Sequence, residues 1–428
     1  MGPAESAYRR RVLDHELDEL LQGLPAIAIE GAKAVGKTAT ASQRAATAHH
    51  LDDPGQRSVA EADLDRLVHG AAPVLIDEWQ YVPAVWDRVR RAVDESPQPG
   101  RFLLTGSASP KGLGTHSGAG RIVSLRMRPM SLAERLEQPA TVSLASLLTG
   151  QRGPVEGKTT MRIDGYVDEI LRSGFPAIRQ LDGRALRSQL DAYVARVVDR
   201  DFAELGHPTR NSAALRRWMA AYAAATATTT SFEKIRRAST SGHDNPPAKT
   251  TVIPYRDVLQ RLFLLEEVPG WNPSRNHIAQ LGLAPKHHLA DPALAANLLG
   301  ATAETLLGGT MVPHGFAGDG ALLGSLFESL VTLSVSTYAQ TAEAKVSHLR
   351  TRGGRHEVDL IVERPDSAVV ALEVKLSATA DAAATAHLKW LRDQIGDQLL
   401  DAVVVTTGDQ AYRRADGIAV VPAALLAP

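Results

Sequence analysis

The sequence predicts an α/β protein of several domains, on three observations. The chain is 428 residues long, room for about three domains at ~150 residues each. Near its N-terminus the segment GAKAVGKT, Gly31 to Thr38, follows a short apolar run and precedes a stretch of helix formers. Near its C-terminus Asp359 is followed, a hairpin's length later, by Glu373-Val374-Lys375. The first pattern reads as a phosphate-binding loop and the second as a metal-dependent nuclease site. Together they suggest an ATPase that acts on nucleic acid.

Composition narrows the classes. A hydrophobic share of 44% with 22% charged residues is that of a globular chain, which argues against wholesale disorder. The formal net charge is −1, so DNA, the expected partner, must be met by a local patch and not by a global basic field. The absence of cysteine excludes disulfides, thiolate zinc sites and a thiol nucleophile, and fits a reducing compartment. No apolar run approaches the ~20 residues of a membrane span. The N-terminal segment lacks the apolar core of a signal peptide and reads as a charged amphipathic helix beside the first strand. The expectation is a cytoplasmic chain with no membrane partner.

Pro25-Ala26-Ile27-Ala28-Ile29 is a buried strand by its apolar run. The loop follows, then helix formers from Ala39 to His49. Gly31 and Gly36 let the backbone curl so that its N–H groups face phosphates, Lys37 supplies a point charge, and Thr38 offers a hydroxyl to Mg²⁺ at the helix start. The second half of an ATP site is an acid at the end of a buried strand, and Pro73-Val74-Leu75-Ile76-Asp77-Glu78 supplies it. Asp77 would hold Mg²⁺, directly or through water, and Glu78 would orient the attacking water. A third strand, Arg101 to Ser107, ends in Thr105 or Ser107 as a γ-phosphate sensor. After the Gly-rich stretch GLGTHSGAG comes Arg121, read either as an arginine finger acting in trans, which would require a homo-oligomer, or as a surface arginine.

These residues carry a resemblance. The strand-loop-helix, His50-Leu51-Asp52-Asp53-Pro54, Asp77-Glu78-Trp79-Gln80, Leu104-Thr105-Gly106-Ser107, Gly120-Arg121-Ile122 and Pro129-Met130-Ser131-Leu132 recur in this order. The chain resembles the prokaryotic AAA+ ATPases that carry a C-terminal domain of unknown function with a nuclease-like fold. Arg172-Ser173-Gly174-Phe175-Pro176 and Tyr193 through Asp201 look like further landmarks, so the resemblance covers nearly the whole chain. It implies an AAA+ fold. The family usually has Pro-Arg-Gln before its Val-Gly-Lys; here Ala32-Lys33-Ala34 stands there and leaves the phosphate ligands intact.

The order of modules follows as 1–140, the P-loop AAA+ domain; 141–206, a helical lid; 207–312, a winged helix-turn-helix; and 313–428, a nuclease-like α/β domain. In the third, one helix holds Leu215, Trp218 and Met219, a second runs from Phe232 to Arg237, and a third from Val252 to Leu265 with Thr251 as its N-cap. Leu265 to Pro269 would begin the wing. Lys249, Arg256 and Arg261 are the candidate phosphate contacts, with a packing or oligomerisation role as the alternative. The pairs His49-His50 and His287-His288 lack metal-ligand spacing and read as structural.

From about Gly320, Leu322, Leu323, Leu326, Phe327, Leu330 and Leu333 line a helix face. Strand-like runs follow at Lys345–Arg350, His356–Val362 and Val369–Leu376, then a helix and a strand from Asp401 to Thr406. This order is the core of the restriction-endonuclease-like fold. Asp359 lies on the second strand. Glu373 and Lys375 lie two apart on the third and so share a face. The two carboxylates would hold Mg²⁺ against a phosphodiester, Lys375 would stabilise the developing charge, and Glu328 would be an outer ligand. Cleavage, or recognition without cleavage, both remain open.

Overall fold

The computed structural model describes residues 8–108, 120–209, 211–240, 246–273, 283–308 and 321–428. The chain forms two compact units: residues up to Arg128 with Arg261–Phe263, and Pro129–Gln260 with Leu264–Pro428. Apart from Arg261–Phe263, the residues of the modules expected after residue 140 therefore lie in the second unit.

The first unit is built on five parallel strands: β1 (Ala26–Glu30), β2 (Thr47–His50), β3 (Val74–Asp77), β4 (Phe102–Gly106) and β5 (Val123–Arg126), in the order β2-β3-β4-β1-β5. Their central members are continuous apolar runs, because helices cover both faces of a parallel sheet. Its helices are α1 (Leu13–Leu20), α2 (Lys37–Ser42), α3 (Pro54–Ala62) and α4 (Ala84–Glu95). Val85, Val89, Ala92 and Val93 of α4 pack with Ile76, Leu104 and Trp79 in one apolar cluster. Insertion of β4 between β1 and β3 brings the polar ends of β3 and β4 to the loop that leaves β1. The helix expected from Ala39 to His49 stops at Ser42, and Thr47–His50 is a strand instead. β2 lies at the edge of the sheet and its four residues show no apolar alternation, so only pairing with β3 reveals it. The Gly-rich stretch at 112–119 lies outside the described residues, as do 241–245 and Gly320.

The second unit holds an eight-stranded mixed sheet. Its strands are β7 (Gly157–Lys158), β9 (Gly270–Trp271), β11 (Lys345–Arg350), β12 (Glu357–Glu363), β13 (Val369–Val374), β14 (Leu399–Thr406), β15 (Gln410–Arg413) and β16 (Ala419–Pro422), in the order β7-β15-β16-β14-β13-β12-β11-β9. Two smaller pairs are β8 (Leu265–Val268) with β10 (Lys286–Leu289), and β6 (Val142–Ser143) with β17 (Leu426–Ala427). The strands expected in the C-terminal segment are present within one or two residues, except that β13 ends at Val374. Lys375 continues its ladder through an N–H bond to Val405 O (2.9 Å).

Ahead of these strands lie α5 (Ile163–Leu171), α6 (Gly183–Arg196), α7 (Ser212–Ala224), α8 (Phe232–Ala238), α9 (Lys249–Arg261), α10 (Pro292–Leu298) and α11 (Ala321–Thr341), while α12 (Ala382–Ile395) links β13 to β14. Asn211 and Ser231 cap α7 and α8. Thr251 is not the cap expected for α9: its N–H already bonds Ala248 O, and Pro254 sits inside the helix. The expectation that no apolar run approaches membrane length also needs correction. α11 has 21 residues and passes that test by length and composition, yet 72% of its apolar window is buried within the protein. Its serines and threonines at 329, 332, 334 and 336 are as buried as its leucines, which is why the stretch does not read as one apolar run.

A buried polar joint ties the Arg172–Pro176 segment to its surroundings. Arg135 donates to Met130 O (2.7 Å) and Glu169 O (2.8 Å), and Asp291 accepts from Ser173 Oγ (3.1 Å) and the Gly174 N–H (2.5 Å). A Cβ at Gly174 would lie 2.4 Å from Arg135 Nη2 and 2.8 Å from Met130 O, so only glycine fits.

Candidate nucleotide site and C-terminal carboxylate cluster

The turn after β1 is shaped by two glycines for two different reasons. Gly36 has φ 105°, a left-handed conformation that favours glycine, whereas Gly31 admits no side chain because a Cβ there would sit 2.1 Å from Met127 O. Lys37 is 4% exposed and donates to Gly31 O (3.0 Å) and Ala32 O (2.9 Å). Burial pulls its pKa down to about 8, against the opposing pull of Glu78 and Asp77.

Thr38, Asp77, Glu78, Thr105 and Ser107 meet in one hydrogen-bonded chain. Thr38 Oγ1 donates to Asp77 Oδ1 at 2.7 Å, and Thr105 Oγ1 donates to the same oxygen. The Glu78 N–H donates to Thr105 Oγ1 (3.1 Å), and Ser107 Oγ donates to Glu78 Oε2 (2.6 Å). Gln80 Nε2 donates to that oxygen and to Ser107 Oγ (3.1 Å). Glu78 has φ 53°, ψ 46°, an uncommon conformation for a residue with a side chain, and such outliers gather at functional sites. The two sensor candidates thus divide: Thr105 touches Asp77 and Ser107 touches Glu78.

Two residues here went unread in the sequence. His50, expected to be structural, places Nδ1 3.2 Å from Asp77 Oδ2. His50, Asp52 and Asp77 offer ligand atoms within 4.8 Å of one another. Gln80, the second, has no signature of its own beside the strand-ending acids. Arg121 stands apart from this chain of bonds: its Nε lies 2.7 Å from Asp94 Oδ1 at the end of α4. The donor set suits a nucleotide with Mg²⁺, since it combines a buried ammonium with a hydroxyl and a carboxylate in contact.

In the second unit, β12 and β13 are antiparallel with Leu360 opposite Leu372. One step further along that register, Asp359 stands beside Glu373 on the same face. The Val374 N–H donates to Asp359 Oδ2 (2.9 Å), and Lys375 Nζ lies 2.7 Å from Glu373 Oε1. Glu373 Oε2 is buried and has no hydrogen-bond partner among the described residues. Burial, then the charge of Asp359, pushes Glu373 up to about 8, and the same two causes push Glu328 up to about 8.

The residue at the centre of this cluster has no local sequence signature. Lys286 of β10 is 1% exposed, and its Nζ lies 2.8 Å from Asp359 Oδ1, 2.8 Å from Glu328 Oε1 and 3.2 Å from Glu357 Oε1. Burial alone would lower its pKa; Asp359 and Glu328 hold it well above the ordinary lysine value. Burial would likewise raise Asp359, but Lys286 keeps that carboxyl below its usual range. Lys286 lies 42 and 73 residues from its partners in a segment, Pro285 to Leu289, whose composition betrays no pairing. Its neighbour His287, expected to be structural, bonds Thr230 O at 2.7 Å and packs against Phe232. Of the candidate phosphate contacts, Arg256 is engaged within the fold, 2.9 Å from Glu267 and over the Phe232 ring.

The fold and the loop define the first unit's class. Residues 24–136 match the AAA domain family, so the chain carries an AAA-type ATPase domain. Residues 163–305 and 323–426 match two further families, each a domain of unknown function (DUF8612 and DUF4143). Similar relatives are an uncharacterized protein of Mycobacterium bovis and one of Mycobacterium tuberculosis, each 24% identical over 97% of this chain and 83% of its own length. Among solved structures, a Walker-type ATPase of Pyrococcus abyssi aligns with a TM-score of 0.35 and 14% identity, over 67% of this chain and 94% of that one. That likeness is too distant to carry a structural argument.

Proposed function

We propose that the chain binds and hydrolyses ATP in its first unit and acts on nucleic acid. The observation that carries the reading is the hydrogen-bonded chain of Thr38, Asp77, Glu78 and Thr105, which joins the start of α2 to the ends of β3 and β4, beside the buried ammonium of Lys37. Lys37 would exchange its two loop carbonyls for the β- and γ-phosphates. Thr38 and Asp77 would hold Mg²⁺, which when bound neutralises the phosphate charge. Glu78, fixed by Ser107 and Gln80, would accept the hydrogen of an attacking water and orient it for in-line attack. Thr105, bridging Asp77 and the Glu78 backbone, would report the state of the γ-phosphate to both acids. Arg121 would complete the charge compensation from a neighbouring copy, in which case it leaves Asp94.

For the middle segment we adopt the winged-helix reading, supported by three helices followed by the antiparallel pair of β8 and β10. For the C-terminal segment we adopt a nuclease-like design, supported by the register that sets Asp359 beside Glu373 and by Lys375 two residues on. Within it, cleavage and recognition without cleavage are the two readings, and the place of Lys286 favours the second. A paired assay tests the whole: phosphate release from ATP with and without DNA, and Mg²⁺-dependent cutting of plasmid and single-stranded DNA. ATP turnover stimulated by uncut DNA is the expected result. No turnover under any condition would remove the ATPase reading, and cutting that Asp359→Ala abolishes would restore the cleaving one.

A further inference from the structure

The cluster of Glu328, Glu357, Asp359 and Glu373 already contains a cation. Lys286 Nζ makes its three close contacts to Asp359, Glu328 and Glu357 from a position almost closed to water. The remaining oxygen of Asp359 accepts the Val374 N–H. A divalent ion on Asp359 needs that carboxylate at about 2.0–2.6 Å, which would press it against an ammonium bonded to the same group. Among the described residues, the C-terminal carboxylates also do not bring three ligand atoms within the 4.8 Å spacing that His50, Asp52 and Asp77 achieve. Mg²⁺ therefore does not fit this cluster as it stands. The cation and the acids come from different parts of the sequence: Lys286 lies in the segment 163–305, whereas Glu328, Glu357, Asp359 and Glu373 lie in 323–426.

We propose that the Lys286 ammonium is the resident cation of this site, standing where a nuclease of this design would hold its metal. While Lys286 is in place the site takes no divalent ion and cuts no phosphodiester. β10 thus supplies a counter-charge for the buried Asp359 and the partly buried Glu328 and Glu357, while Lys375 pairs with the buried Glu373, since carboxylates stripped of these cations would repel one another. Removing the ammonium while keeping the volume leaves the acids in need of a cation, so Lys286→Met opens a metal site. This inference rests on the nuclease-like reading of the C-terminal segment.

The test is a Mn²⁺ titration of the full chain followed by electron paramagnetic resonance, without nucleotide. Every sample carries Asp77→Asn, which silences the cluster in the first unit. With Lys286 present, free Mn²⁺ should track total Mn²⁺. Lys286→Met should bind about one ion per chain, the stoichiometry of a single carboxylate-ligated site. Adding Asp359→Asn should abolish that binding, and Lys286→Arg, which keeps the charge, should bind none. If the Lys286 protein itself binds an ion that Asp359→Asn removes, the proposal is overturned while the nuclease-like reading stands. If a folded Lys286→Met protein, checked by circular dichroism, binds nothing, the acids are not a latent metal site and both readings fall. Should that variant not fold, the titration of the Lys286 protein decides the proposal on its own.

Discussion

Lys37 and Glu78 belong to the same proposed nucleotide site, yet their loss should be felt at different steps. Lys37→Ala removes the buried ammonium of the loop and should weaken ATP binding by about 10–100-fold, the worth of one charge-assisted contact, as read by calorimetry. Glu78→Gln keeps the fold of the β3 turn and leaves Asp77 for the metal, so binding should survive while turnover falls. Both residues were legible in the sequence because the loop and the strand-ending acids are local patterns with fixed spacing. His50 and Lys286 were not legible. Each acquires its meaning from an acid far along the chain, Asp77 for the one and Asp359 with Glu328 for the other. No local spacing encodes such a partner.

Elements divide along the same line. The short apolar strands β1, β3 and β4 and the leucine-lined face of the helix α11 were readable from composition and periodicity, as were β11 to β14 within a residue or two. The two-residue strands β6, β7 and β9 were not, because pairing with a distant strand, and not composition, defines them. Two element-scale outcomes follow from the packing. Gly31→Ala forces a Cβ against Met127 O at the exit of β1, so it should lower both the melting temperature and nucleotide affinity, the second measured by calorimetry. The other concerns β10 and β11. Burial pushes His288 down to about 3 and His348 down to about 4, so the fold holds both neutral. Below the ordinary histidine value the unfolded chain takes up protons that the folded chain refuses. Stability should therefore fall as pH drops from about 6.5 towards 4, by about 1.4 kcal/mol per pH unit for each histidine. Urea melts at pH 7 and pH 5 measure this, and His288→Leu should show a shallower decline between the two.

At the scale of the whole molecule, the sequence was read as four modules, whereas the chain forms two units, with the Gly31–Thr38 loop in the first and the Asp359–Glu373 cluster in the second. The sequence could not show that everything from Pro129 onward, apart from Arg261–Phe263, belongs to one unit, since strands at 157–158 and 270–271 join a sheet whose other strands begin at Lys345. Assembly is the remaining question at this scale. If Arg121 acts in trans, hydrolysis per chain should rise with protein concentration, and Arg121→Ala should lower turnover with ATP affinity nearly unchanged. A rate per chain that stays flat from dilute to concentrated protein, in a strictly monomeric sample, removes that role. The most direct test of the central claim is ATP turnover by the full chain and by Glu78→Gln, with retained nucleotide measured in the same samples. The account predicts Mg²⁺-dependent phosphate release by the parent, and a variant that keeps ATP bound but turns it over at least about 100-fold more slowly. Equal hydrolysis by the two proteins would contradict it.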